Sequence, residues 1–105
     1  MKHVEVINAA DAKKFVIDLN REAKVLYEEA IVEVLEDMNE RVRKAIKFGE
    51  LETLINLHPI QRLTDINIQA AKLAVTIFGA RLSDLGYDFD PFTNHTTVMT
   101  IRWSR

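Results

Sequence analysis

Cysteine is absent from the chain, which excludes disulfides, zinc-thiolate sites and thiol nucleophiles, and suits a reducing cytoplasm. Serine is scarce: Ser83 and Ser104 are the two in the chain, and neither lies in a glycine-flanked elbow, so no acyl-transfer motif is visible. The three glycines, Gly49, Gly79 and Gly86, are isolated from one another, whereas a phosphate-cradling loop clusters them. His3, His58 and His95 show no metal-ligand spacing, and no HExxH pattern occurs. A non-enzymatic protein without cofactor or metal is the expectation, because no acid, base and nucleophile can be grouped by spacing.

Neither sign of charge dominates. Fourteen Lys and Arg stand against sixteen Asp and Glu, a net charge of -2, so the basic excess that drives sequence-independent nucleic-acid binding is missing. No run of about 18 apolar residues occurs, and Met1-Lys2-His3-Val4-Glu5-Val6 carries no apolar signal core. The chain is expected to be neither exported nor membrane-spanning. With 48% hydrophobic and 29% charged residues over a length of 105, the composition is that of one globular domain, 1–105.

What is present is helix pattern. The first glycine or proline is Gly49, and Asn8 is a plausible N-cap ahead of Asp11 in the first turn. From there Ala12, Val16, Leu19, Ala23, Leu26, Ala30, Val34, Met38, Val42 and Ala45 recur at spacings of three and four, a single apolar stripe. Arg41, Arg43, Lys44 and Lys47 put positive charge at the negative end of the helix just before Gly49. Asp37 and Glu40 can pair with Arg41 and Lys44 at i,i+4, which favours a helix terminus over a phosphate-binding patch. The acids Glu29, Glu33, Glu36 and Glu40 read as a solvated ridge.

The pattern predicts a helix over about 9–48, which would span about 60 Å. A chain of this size does not cover so long a helix. Either it bends near Asp18-Leu19-Asn20 or it packs on another subunit, and the second is favoured because Val25 and Val32, with Ile31 and Leu35 alongside, widen the apolar surface. Residues 51–57 read as turn of helix or strand; the alternation of Leu51, Thr53, Ile55 and Leu57 leans to strand.

A second long helix is predicted over about 60–85. On a wheel of 100° per residue, Asp65, Gln69, Lys72, Thr76, Gly79 and Ser83 share one narrow sector, leaving Ile66, Ala70, Leu73, Ile77, Phe78 and Leu82 around the rest. A helix of that kind is expected to be nearly surrounded, by the first helix and by a sheet or second subunit. Arg81 falls on the apolar arc. It either snorkels out to Asp84 or Asp88, or presents its guanidinium at an interface where it grips a carboxylate or phosphate. After Gly86 a C-terminal β-hairpin over about 87–103 is predicted, with Met99, Ile101 and Trp103 facing the helices and Arg102 on the outer face opposite Asp88 or Asp90. The fold class is thus α+β: two long helices, a C-terminal hairpin and a possible third strand at 51–57.

The turn Phe92-Thr93-Asn94-His95-Thr96-Thr97 concentrates hydrogen-bonding side chains near aromatic residues. Arg81, Arg102, Tyr87, His95, Asn94 and Trp103 are therefore the candidate ligand-binding residues, with an ordinary hairpin loop as the plainer reading.

Gly86-Tyr87-Asp88-Phe89 after a helix and Ile101-Arg102-Trp103 near the end, in a stretch starting at Ala45-Ile46-Lys47-Phe48-Gly49, resemble small uncharacterised proteins that recur in tailed-phage and prophage genomes. The resemblance covers about the last 60 residues and carries over no catalytic group. It implies, as an expectation, a phage accessory protein acting in the host cytoplasm against a host defence or regulatory system. Two functions follow as expectations: a homo-oligomer holding a small anionic, nucleotide-like ligand at its subunit interfaces, or an interaction module whose long amphipathic helix engages a host or phage protein. A virion assembly component is a further alternative.

Overall fold

The computed structural model describes residues 8–103, with the side chains of residues 12 and 14–20 outside that description. The element order is α1 (Ala9–Lys47), β1 (Glu52–Asn56), α2 (His58–Ile66), α3 (Ile68–Asp84), β2 (Asp88–Phe89) and β3 (Val98–Arg102). The fold is α+β: one long helix, a helical pair and a three-stranded antiparallel sheet in the order β1-β3-β2.

The ends of α1 follow from local chemistry. Asn8 is extended (φ -73°, ψ 162°), and its side-chain oxygen accepts the Asp11 N–H at 2.9 Å, satisfying one of the first-turn donors. At the other end Gly49 adopts φ +71°, the left-handed conformation that a side chain disfavours. This turn lets the Gly49 and Glu50 N–H groups donate to the carbonyls of Ile46 and Ala45 at 3.0 and 2.9 Å, a Schellman stop. Gly86 repeats the device after α3: φ is +86°, and the Gly86 and Tyr87 N–H groups donate to Ser83 and Leu82, both at 3.0 Å.

The helix runs unbroken through Asp18-Leu19-Asn20, so the bend considered as the alternative does not occur. Its 39 residues span about 58 Å, and the molecule is correspondingly elongated, 74 × 22 × 20 Å. The described part of the predicted stripe is buried at Ala23, Ala30, Val34, Met38 and Ala45 and half-buried at Leu26 and Val42. Ala12, Val16 and Leu19 lie outside the described side chains, as His3 lies outside the described residues.

The predicted helix over 60–85 is two helices. Asn67 stands between them with extended backbone (φ -157°, ψ 100°), closing α2 through its N–H to Leu63 and opening α3 by accepting the Ala70 N–H on its side chain at 3.1 Å. The apolar periodicity continues across Asn67, which conceals the break. Its capping chemistry is what matters, since Asn competes with the helix for its own backbone. The expectation of a nearly surrounded helix is corrected: Ile66 is 65% exposed and Leu73 is also exposed, while Ala70, Ala71, Ala74, Phe78 and Leu82 are buried.

The 51–57 segment is strand. β1 pairs β3 with Glu52 opposite Arg102 and Asn56 opposite Val98, and β2 pairs the other side of β3 with Asp88 opposite Arg102. Ile55, Met99 and Ile101 are buried, and Trp103 packs partly buried against them, while Leu54, Val98 and Arg102 face away. The core lies between that inner sheet face and the helices, with Phe78, Met38, Leu57, Ile60, Leu82 and Val34 fully buried. Phe92 closes it, edge-on to Phe78 at 6.0 Å and to Phe89 at 5.9 Å. Among the described residues no polar or charged side chain is buried.

Candidate functional site

The structure distributes the six candidate residues over three places. Asn94 and His95 lie in the loop before β3, and Trp103 follows β3. Five strand residues separate them, about 17 Å at 3.4 Å per residue. Asn94 is tied to α2: its carbonyl accepts the Thr64 hydroxyl at 3.0 Å and its side-chain amide donates to the same oxygen at 3.2 Å. These bonds fix the loop, so Asn94 is a structural link. His95 is exposed, and the Thr93 hydroxyl accepts its backbone N–H at 3.2 Å.

Tyr87 and Trp103 meet edge to face at 6.1 Å and pack partly buried against the core. The Trp103 N–H donates to the Leu51 carbonyl at 3.0 Å, extending the β1–β3 ladder by one pair. Both aromatic rings close the end of the sheet.

Arg102 holds the three strands together on the outer face. Its Nη2 donates to Asp90 Oδ1 at 2.9 Å, and its Nε lies 3.4 Å from Glu52 Oε2. The hydrogen bond and charge of Asp90, then those of Glu52, push its pKa above the usual arginine value. Two carboxylates of its own chain already occupy the guanidinium, so an incoming anion would have to displace them.

Arg81 is different. It follows Ala74 by two turns and therefore shares the core-facing side of α3, the apolar arc on which the wheel puts it, yet its side chain is exposed. It stands at the margin of the α1–α3 contact, where Tyr27, Glu28, Ile31 and Val32 of α1 and Ile77 of α3 line an open cleft of about 440 Å³ with it. Neither Asp84 nor Asp88 pairs with it, and among the described residues no carboxylate lies within 4.0 Å. Of the six candidates, Arg81 is the one whose guanidinium lines a concave site with no carboxylate partner among the described residues.

Metal chemistry has little to build on: among the described residues no group of three or more His, Asp or Glu is placed to hold an ion. His58 Nδ1 lies 3.3 Å from Gln61 Oε1 in the first turn of α2. No described helix is long and apolar enough to cross a membrane.

A second concave region escapes sequence reading. Asp37, Glu40, Arg41 and Lys44 of α1, with Phe48, Glu50 and Thr53, line a groove of about 570 Å³ beside β1. Asp37 and Arg41 pair at 2.8 Å as expected from their spacing, but they also reach the strand. Arg41 Nη1 donates to the Leu54 carbonyl at 3.4 Å, and Asp37 Oδ2 accepts the Asn56 N–H at 3.2 Å. The i,i+4 spacing signals the ion pair; nothing in it signals the strand alongside.

No protein family, no curated protein and no solved structure matches the chain.

Proposed function

We propose that this protein is a non-catalytic interaction protein that assembles with a second copy of itself through the back of α1 and the α1–α3 cleft. One observation carries this reading: Val25 and Val32, on the far side of α1, are 56% and 52% exposed while Ala23, Ala30, Val34 and Met38 on its near side are buried. Valines seven residues apart share a helix face, and a partner helix laid along them removes both from water. Val32 also lines the Arg81 cleft, so that partner would wall in the guanidinium.

The second reading rests on that juxtaposition. A small anionic, nucleotide-like ligand would meet Arg81 as its charge partner and Tyr27 as an aromatic wall, with the second copy closing the site. Arg102, Tyr87, Asn94, His95 and Trp103 are not needed for it. In the phage or prophage setting that the C-terminal motifs suggest, such an assembly would act on a host or phage component in the cytoplasm.

Native mass spectrometry of gently purified protein tests both readings in one spectrum. The expected result is a multimer that Val25→Glu with Val32→Glu reduces to a folded monomer. Discrete extra mass that Arg81→Ala removes would add the ligand; a bare monomer for the unaltered chain would overturn the assembly itself.

A further inference from the structure

Val25 and Val32 are the first two members of a longer series on α1. Asn39 and Ile46 continue it at the same spacing of seven, and Ile46 is likewise exposed. A seven-residue repeat keeps one seam facing a second helix that supercoils with it, whereas a straight helix turns every 3.6 residues and drifts away from such a seam. Three of the four residues are β-branched, which at this seam position of parallel pairs favours two strands. The fourth is an asparagine, which there fixes the register. Leu35 and Val42, half-buried, lie between the members of the series on the side nearer the core.

The two sides of this seam carry complementary charge. On one side Arg81 and Ile77 of α3 meet Glu28, Ile31 and Val32 in the cleft of about 440 Å³, and Lys24 lies 4.0 Å from Glu28. On the other, turned about 40° from Val25 and Val32, stand Glu29 and Glu36, both exposed. Among the described residues no Lys, Arg or His lies within 4.0 Å of the Glu29 or Glu36 carboxylates, as no carboxylate lies within 4.0 Å of Arg81. Two copies packed parallel and in register set the α3 side of each against the glutamate side of the other. Antiparallel copies with Val25 opposite Ile46 would set like sides together, bring Glu36 to its own copy and leave Asn39 facing Val32.

We propose that α1 pairs with α1 of a second copy as a parallel, in-register, two-stranded coiled coil, in which Asn39 meets Asn39 and Arg81 of each copy takes the Glu36 carboxylate of the other. This inference rests on the self-assembly reading above and adds its orientation, its register and the partner of Arg81. In a parallel pair the residue just before a seam position faces the residue five further on in the other helix, so the edge at Ile31, where Arg81 lies, meets Glu36. The anion that completes the cleft is then a carboxylate of the second copy. The two-fold axis repeats the contact on the other side of the seam.

Charge exchange tests the contact, and a single introduced cysteine tests the register. Arg81→Glu or Glu36→Arg alone is expected to weaken self-association about tenfold in sedimentation equilibrium, and the two together to return it to within about threefold of the unaltered chain. Because the chain contains no cysteine, Asn39→Cys reports on its own position alone. Parallel, in-register copies bring its two sulfurs within disulfide reach under mild oxidation, and antiparallel copies do not. Circular dichroism establishes that each variant is folded; if a reversed charge unfolds the chain, Arg81→Gln and Glu36→Gln give the same coupling as a double-mutant cycle. A multimer that Val25→Glu with Val32→Glu dissociates, but in which Asn39→Cys fails to cross-link or the exchanged charges fail to restore association, would overturn this pairing and leave the assembly reading standing. Bound small-molecule mass that Arg81→Ala removes would likewise overturn the Arg81–Glu36 contact, and a monomer for the unaltered chain would overturn both.

Discussion

Val32 and Val34 sit two residues apart on α1 and meet opposite surroundings. Val34 is fully buried against the core, while Val32 is 52% exposed, because two residues turn a helix by about 200°. The same side chain contributes to folding at one position and is left in water at the other. From Ala23 to Ala45, the core-facing side of α1 is covered by this chain, and its far side at Val25 and Val32 is not. That difference separates what the fold requires from what it leaves available to a partner.

The comparison breaks most sharply with a charge. Val34→Asp places a carboxylate in an apolar core without a partner and is expected to cost about 4 kcal/mol or more, whereas Val32→Asp should leave monomer stability within about 0.5 kcal/mol and instead lower the oligomeric mass. Urea unfolding and light scattering on the two variants read both effects. A comparable stability loss at Val32 would mean that the far side of α1 is covered within the monomer.

Phe78→Ala tests the packed side without charge. Phe78 is fully buried and makes an edge contact with Phe92, so its truncation is expected to cost about 3–5 kcal/mol by denaturant unfolding. Leu73→Ala, on an exposed part of the same helix, should cost well under half of that.

Asn67→Ala is a smaller perturbation at the junction of α2 and α3. It removes the side-chain acceptor of the Ala70 N–H, with an expected loss of about 1 kcal/mol. A result near zero would mean that packing alone fixes the break.

Arg102→Gln is the smallest. A raised pKa on a cation contributes stability fully present below the ordinary arginine value and lost only as pH rises through the higher folded-state value. Over about pH 5 to 9, far below the arginine range, the contribution of Arg102 is therefore constant, and the stability difference between wild type and Arg102→Gln should be flat when it is set by the Arg102 titration alone. At high salt that difference should shrink, since the carboxylate partners are exposed and screened.

Much of the fold was legible in the residues, and what was legible had a local cause. Asn8 and Gly49 bracket α1 as predicted, Gly86 ends α3, and the alternation of Met99, Ile101 and Trp103 points to the helices. The helix over 60–85 was read as one because its apolar spacing passes through Asn67, and periodicity cannot by itself separate a continuous helix from two that share a phase. Arg81 lies on the apolar arc of α3 and is nonetheless exposed, for a related reason. A wheel records direction around an axis but not where along the axis a neighbour stops covering it.

The candidate site was legible only in pieces. Asn94 and Trp103 were grouped because both lie near the hairpin turn in sequence, yet β3 carries them to opposite ends of the sheet. The hydrogen bonds of Asp37 and Arg41 to the β1 backbone join residues up to 19 apart in the chain, a juxtaposition that no local pattern encodes.

The sequence alone determined both ends of α1, the end of α3, the strand faces and the burial of one face of α1, because caps, glycine conformations and hydrophobic periods act within a few residues of where they are written. Tertiary structure decided the rest: the strand order β1-β3-β2, the commitment of Arg102 to Asp90 and Glu52, the place of Arg81 in its cleft, and the hydrogen bonds of Asp37 and Arg41 to the β1 backbone. Each of these depends on which elements come to lie side by side, and that is settled by the packing of the whole core rather than by any one stretch of chain.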